Sequence, residues 1–292
     1  MADRALVLGS GGVTGRAWEW GMLAGLRRAG VPLAAADLVI GTSAGAAVGA
    51  ALASGVDPAE YYERELARPA SGELVGRLGG AMLLRWARIG IAYRSGTPEA
   101  LGQAFGRLAV GARTVTQERR LADLSTRLPG LRGWPRRLLI TAVDAASGER
   151  VVLDEASDVS ILTAVAASCA VPGVWPPVTV GGRRLIDGGI RSPANADLAA
   201  GCARVVVLAP TPAGFQPGSA ATAQVAGFGD RAVVLAPDRT AKRAFGRDSL
   251  DPAHRAAAAE AGFAQAAQEA ARVAEVWGDP GGAGEALRDL SI

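Results

Sequence analysis

The stretch "DLVIGTSAGAAVGA", residues 37–50, places a serine between two glycines directly after an apolar run. "ADLVI" (36–40) reads as a short buried strand, and "SAGAAVGAALASG" (43–55) as a helix of small residues that stops near Gly55. Ser43 therefore falls at a sharp strand-to-helix turn. The same rhythm precedes it. "RALVLGS" (4–10) reads as a strand, and a glycine cluster follows. "GRAWEWGMLAGLRRAGV" (15–31) then carries Trp18, Met22 and Leu26 at helical spacing before a stop at Gly30. Strand–loop–helix twice in succession predicts an α/β fold with a largely parallel central sheet.

Downstream, residues 57–130 are mostly helical by pattern, with breaks at Pro69, Gly79-Gly80 and Pro98, and look like an inserted helical cap. "RRLLITAVDAASGERVVLDE" (136–155) predicts two strands joined at Ser147-Gly148. "SILTAVAASCAVPGVWPP" (160–177) predicts a helix that stops at Pro172. "VTVGGRRLIDGG" (178–189) reads as a hairpin turning at Gly181-Gly182 and ending in Asp187. "ARVVVLAP" (203–210) and "AVVLAP" (232–237) are further strands, separated by a Gly-, Pro-, Ala- and Ser-rich stretch over 211–230 that reads as a long loop. The last helix spans 251–277, with Asp251 as its N-cap and Pro252 at its first position. No internal repeat or domain boundary stands out, so residues 1–292 read as one domain.

Gly41-Thr42-Ser43-Ala44-Gly45 fits G-x-S-x-G. A serine at such a turn sits on strained backbone, and a helix starting behind it aims N–H groups and a positive dipole end toward it. Both favour a nucleophile. The alternative is an N-cap serine with small neighbours for close packing. The loop "GSGGVTG" (9–15) lies between strand and helix. No acid ends the second strand, as a dinucleotide site wants, and no lysine follows, as a P-loop wants. Bare N–H groups at Gly11 and Gly12 suit an oxyanion hole, which a neighbouring parallel strand would bring beside Ser43. A serine also needs a base. His254 is the single histidine, and the order Ser43, Asp187, His254 follows that of an α/β-hydrolase triad. Few strands precede this serine, however, and "DPAHR" puts His254 in a first helical turn, where an exposed polar residue is expected. Asp187, in "RRLIDGG", is the other base; burial would raise its pKa and make it a better proton acceptor. Its bland reading is an ordinary Asp-Gly turn.

A glycine loop at the first strand, G-x-S-x-G at the second and a late Asp-Gly-Gly stand together here in that order. The surrounding segments "ALVLGSGGVTGRAWEWGMLAGLRRAGV", "DLVIGTSAGAAVGAALASG", "LLITAVDAASGERVVL" and "AASCAVPGVWPPVTVGGRRLIDGGIRSPANADLA" extend the match over residues 5–55 and about 138–210. This set resembles the patatin-like phospholipases, lipid acyl hydrolases that use a Ser–Asp dyad. The resemblance implies a three-layer fold, with helices on both faces of the sheet and a helical cap. It implies Ser43 as nucleophile in an elbow flanked by Gly41 and Gly45, and Asp187 as base in a turn with Gly188 and Gly189. Gly11, Gly12 and Val13 would supply the oxyanion N–H groups. It implies a lipid or phospholipid substrate and no metal or cofactor. Two departures stand out in the glycine loop. Thr14 replaces the usual basic residue, with Arg16 two positions later, and Ser10 replaces a first glycine.

The 292-residue chain has a net charge of +3. Lys242 is its only lysine, and the arginines are scattered among acids. Nucleic-acid binding would want a clustered basic face with aromatics. Cys169 and Cys202 lie in small apolar surroundings and read as buried free thiols, with no zinc-like spacing. No signal-peptide core and no bilayer-spanning run are present, which predicts a soluble cytoplasmic protein. "GAMLLRWARIGIAYR" (80–94) reads by periodicity as a core-facing helix with a charged back. Its alternative is a lid that leans on a lipid surface, arginines meeting anionic head groups, in a protein transiently peripheral at the membrane. Trp18 and Trp20 read as core. Two rival functions remain at this level: an esterase using His254, and a non-catalytic protein that holds a lipid in the same cleft.

Overall fold

The computed structural model describes residues 2–67, 74–128, 130–131, 133–135 and 137–278; the expected break at Pro69 lies outside them. The strands are β1 (Arg4–Leu8), β2 (Leu38–Thr42), β3 (Leu138–Asp144), β4 (Arg150–Leu153), β5 (Val178–Val180), β6 (Arg183–Asp187), β7 (Arg204–Leu208) and β8 (Ala232–Leu235). The helices are α1 (Gly12–Arg28), α2 (Ala44–Ala53), α3 (Pro58–Leu66), α4 (Gly80–Ala92), α5 (Pro98–Val110), α6 (Gln117–Arg127), α7 (Ile161–Ser168), α8 (Ala221–Gln224), α9 (Arg239–Ala244) and α10 (Arg255–Trp277).

All eight strands join one sheet, paired β5-β6-β3-β2-β1-β7-β8 with β4 also on β3. The β3-β2-β1-β7-β8 pairings are parallel; β4, β5 and β6 pair antiparallel. The fold is thus α/β around a mostly parallel sheet. Its strands are buried on both faces, as crossover helices require. Leu6 and Leu8 face a core formed with Trp18, Trp20 and Trp277, whereas Ala5 and Val7 face a second core with Val205, Val207 and Phe228. The alternation along β1 is the two-residue period of a strand.

Register explains how distant segments meet. Ile140 of β3 pairs with Gly41 of β2 and with Leu153 of β4, so β2 and β4 occupy opposite edges of β3. Ala142 pairs with Val151 of β4 and with Asp187 of β6, so β6 also lies opposite β4. A strand has two edges. β2 and β6 therefore follow one another along the same edge, and they meet C-terminus to C-terminus. Thr42 pairs with Thr141, and Asp187 with the next residue, Ala142.

Four expectations change. α4 faces the core only in part: Trp86 and Ile89 pack on the core of Leu101, Phe105 and Ile190, but Gly90 is its only buried residue, and Leu83, Leu84 and Ile91 are 50%, 67% and 78% exposed. Within the expected cap, α3 belongs to the main core, its Tyr61 ring 4.6 Å from that of Trp20. α7 ends at Ser168, before Pro172, because the Ala170 carbonyl turns away to accept the Asp187 N–H at 3.1 Å. Asp251 caps a single 3-10 turn over Pro252–His254, and α10 begins only at Arg255. The 211–230 stretch is largely irregular, as expected, but contains the short helix α8.

Candidate active site

Parallel strands put their C-terminal ends on one rim of the sheet, where side chains and loop N–H groups converge. The glycine loop leaves β1 there and Ser43 leaves β2. Ser43 has φ 54° and ψ −114°, a conformation that L-residues hold only under strain of about 1–3 kcal/mol. Its surroundings fix that backbone. Its N–H donates to Ser168 Oγ at 2.8 Å, and its carbonyl accepts from Cys169 Sγ at 3.0 Å. Burial pushes the Cys169 thiol up to about 12, with the nearby Asp187 carboxylate adding to the effect, so it stays protonated and serves as a donor. Behind Ser43, Gly45 lets α2 start against β1. A Cβ there would lie 2.1 Å from the Leu8 carbonyl oxygen, and the Gly45 N–H donates to Gly9 O at 3.0 Å.

Asp187 reaches the same point from the other strand end. Ser43 Oγ donates to Asp187 Oδ2 at 2.7 Å, and Gly189 N–H donates to Asp187 Oδ1 at 2.8 Å. Both side chains are buried, at 6% and 5% exposure. Desolvation pushes the Asp187 carboxyl from 3.8 up to about 6, against the lowering pull of its hydrogen bonds to Ser43 and Gly189. Asn195, in the left-handed region at φ 52°, bridges β2, β3 and the turn after β6, whose Gly188 carbonyl accepts from its Nδ2 at 3.4 Å. Its Nδ2 donates to Thr42 Oγ1 and Thr141 Oγ1 at 3.2 Å each and to Ser192 O at 2.8 Å.

The glycine loop lines the same cavity as Ser43 and Asp187. Gly12 begins α1 at φ 63°, which glycine adopts without penalty. No partner is found for the Gly11 or Gly12 N–H among the described residues. Val13 differs from expectation. Its N–H is already engaged, donating to the Ser249 carbonyl at 2.8 Å, so of the three expected donors Gly11 and Gly12 keep an N–H without a partner among the described residues. Thr14 is fully buried and its N–H donates to the same carbonyl at 3.1 Å. His254 stands apart: its ring lies against Gly246, and it makes no hydrogen bond to Ser43 or Asp187.

Two recesses open from Ser43. The first, about 290 Å³, is walled by Leu78, Trp86, Val171, Ile190, Phe215 and Leu250. The second, about 310 Å³, carries Arg16, Arg120, Arg127 and Arg255 with Leu74 and Trp175. Sequence reasoning missed most of these walls. Phe215 and the Ser249-Leu250 pair come from stretches without periodicity. Asn195 had a signal, a polar residue in "RSPANADL" beside the Asp-Gly-Gly turn, that went unread. Among the described residues, no group of three or more His, Cys, Asp or Glu is placed to hold a metal ion, and no helix is long and apolar enough to cross a membrane.

A mostly parallel α/β sheet with a strained serine on its rim, bonded to a buried aspartate, defines the class of protein. Residues 6–200 match the family model for patatin-like phospholipase, and the chain belongs to that family. Among solved structures it is similar to VipD from Legionella pneumophila, at 14% identity and a TM-score of 0.45, over 92% of this chain and 66% of that one. It is also similar to the type III effector protein ExoU, at 16% identity and a TM-score of 0.41, over 92% of this chain and 53% of that one. The chain thus spans about two thirds and about half of the lengths of these two proteins. No match was found among curated proteins.

Proposed function

We propose that the protein cleaves fatty-acyl ester bonds of phospholipids or related lipids through a Ser43–Asp187 dyad and an acyl-enzyme intermediate. The observation that carries this reading is the 2.7 Å hydrogen bond from Ser43 Oγ to a buried carboxylate. Asp187 takes the Ser43 proton as Oγ bonds to the ester carbonyl carbon. The N–H groups of Gly11 and Gly12 hold the resulting oxyanion. The proton passes to the leaving alkoxide as the ester C–O bond breaks, giving a lysolipid or alcohol and the Ser43 acyl ester. Asp187 then takes a proton from water, hydroxide adds to the acyl carbon, and the fatty acid leaves as Ser43 recovers its proton. The first recess, walled by apolar side chains, suits the acyl chain.

The reading is tested with a fluorophosphonate probe and a medium-chain p-nitrophenyl ester on wild type and His254→Ala. The probe is expected on the Ser43 peptide, and His254→Ala is expected to keep near-wild-type hydrolysis. A folded but inactive His254→Ala would mean that the histidine is the base after all. An unlabelled Ser43 in a protein that still binds phospholipid would favour a carrier.

We also propose that the protein works in the cytoplasm and docks transiently on membranes through α4. Exposed Leu83, Leu84 and Ile91 share this helix with exposed Arg85 and Arg88, and no acid occurs from residue 74 to 98. That pairing of apolar and cationic side chains suits an anionic lipid surface. Leu84→Glu and Ile91→Glu are each expected to lower affinity for phosphatidylglycerol-containing vesicles by about tenfold or more, from the ~2 kcal/mol of apolar burial lost. Sedimentation with vesicles measures this, and wild-type binding by both variants would remove α4 from the surface.

A further inference from the structure

The two recesses beside Ser43 differ in one respect that matters for an amphiphile. Among the described residues, the first carries no arginine or lysine; the second gathers four guanidinium groups from three parts of the chain. Arg16 comes from α1, Arg120 and Arg127 from α6, and Arg255 from the start of α10. Their side chains are only 19%, 9%, 14% and 10% exposed. Each is anchored. Arg16 Nε pairs with Glu65 at 3.0 Å and Arg255 Nε with the same carboxylate at 3.4 Å. Arg120 and Arg127 pair with Asp123 at 2.7 and 3.0 Å. Such anchors hold guanidinium planes in fixed orientations before any ligand arrives, which lowers the ordering cost of binding.

Arg120 is the most telling of the four. Its guanidinium lies 3.8 Å from the Trp175 ring centroid, and its buried Nε has no hydrogen-bond partner among the described residues. Burial lowers its pKa to about 10, against the raising influence of Cys169 and Asp123, so it remains a cation at neutral pH. Asp123 already meets its charge at 2.7 Å, but a buried donor without an acceptor is costly, and a ligand oxygen in the recess would satisfy it. Arginine forks match the oxygens of a phosphate group in particular.

We propose that this arginine recess binds the phosphate of a glycerophospholipid head group while the acyl chain under attack lies in the apolar recess. The proposal rests on the acyl-hydrolase reading above and names its substrate class.

The test is the ratio of kcat/KM for dihexanoyl-phosphatidylglycerol to that for neutral dihexanoylglycerol, both kept monomeric so that surface docking plays no part. Wild type is expected to prefer the phospholipid. Arg120→Gln and Arg255→Gln are each expected to lower the ratio about 10- to 100-fold, the span of one charge-assisted hydrogen bond. Should a melting curve show that Arg120→Gln does not fold, Arg127→Gln on the more open side gives the same reading. Ratios within about twofold of wild type in folded variants would overturn the proposal and leave the hydrolase reading intact. If wild type released no fatty acid from either lipid, the hydrolase reading would fall, and calorimetry with the same two lipids would judge the recess. Tighter phospholipid binding that is lost in the variants would uphold the site; equal binding of both lipids would overturn it. Inorganic phosphate is expected to compete only far above the concentration at which the phospholipid saturates. Equal competition would assign the recess to free phosphate and overturn the head-group assignment.

Discussion

Ser43→Ala and Asp187→Asn, made separately and together, are expected to bring ester hydrolysis to one common floor, roughly 10⁴-fold or more below wild type. Groups that act as a unit lose almost everything when either is removed, so the double variant should be no worse than the singles. Ser43 Oγ has Asp187 as its hydrogen-bonded proton acceptor, and asparagine has no charge with which to accept a proton. Steady-state rates on a p-nitrophenyl ester measure this. Multiplying losses, or an Asp187→Asn variant within tenfold of wild type, would mean that another group takes the proton. The pH profile carries the same logic. Asp187 must be ionised to act, so the rate should rise with pH through about 6 and then level. The shift also works on stability in a definite direction. The folded carboxyl, at about 6, holds its proton more tightly than the usual 3.8. Its contribution to stability is therefore fully present below about 4 and is lost as pH rises toward 6.

Gly45→Ala is expected to be severely destabilising. The added carbon would sit 2.1 Å from Leu8 O and 2.2 Å from Leu8 C, which are backbone atoms of a fully buried strand. Neither can step aside without moving β1 or α2. Overpacking of this kind costs about 3 kcal/mol or more. That corresponds to a fall in Tm of the order of 6–12 °C for a chain of this size. Thermal melting and soluble yield report it. A wild-type melt would show that α2 can slide outward, and that the contact between elbow and strand is softer than these distances imply.

Much of this was legible in the residues, for identifiable reasons. β1 and β2 announce themselves because strands buried on both faces must be continuously apolar, as "ALVL" and "LVI" are. The Gly181-Gly182 hairpin is legible because its turn needs positive φ, which both glycines adopt at 54° and 76°. Ser43 and Asp187 stood out from motif and order, and they lie within hydrogen-bond distance. What escaped depends on partners rather than patterns. The stripe on α4 is visible in sequence, but periodicity says that an apolar face exists and not what covers it; here Leu84 and Ile91 face outward. Val13 looked equivalent to Gly12 until the Ser249 carbonyl, 236 residues away in sequence by its number, was found on its N–H. The arginine recess was invisible for the same reason, since its four members come from α1, α6 and α10.

The meeting of β2 and β6 along one edge of β3 has a consequence for the chain as it is being made. Ser43 and Asp187 are 144 residues apart, and nothing before β6 supplies the carboxylate. Asn195, which bridges β2, β3 and the turn after β6, comes later still. A ribosome-bound chain that has emerged only as far as α7 thus carries the strained serine without its proton acceptor. On the proposed dyad mechanism, such a chain has no base for Ser43 while it is being made, and a chain stopped before Asp187 never acquires one.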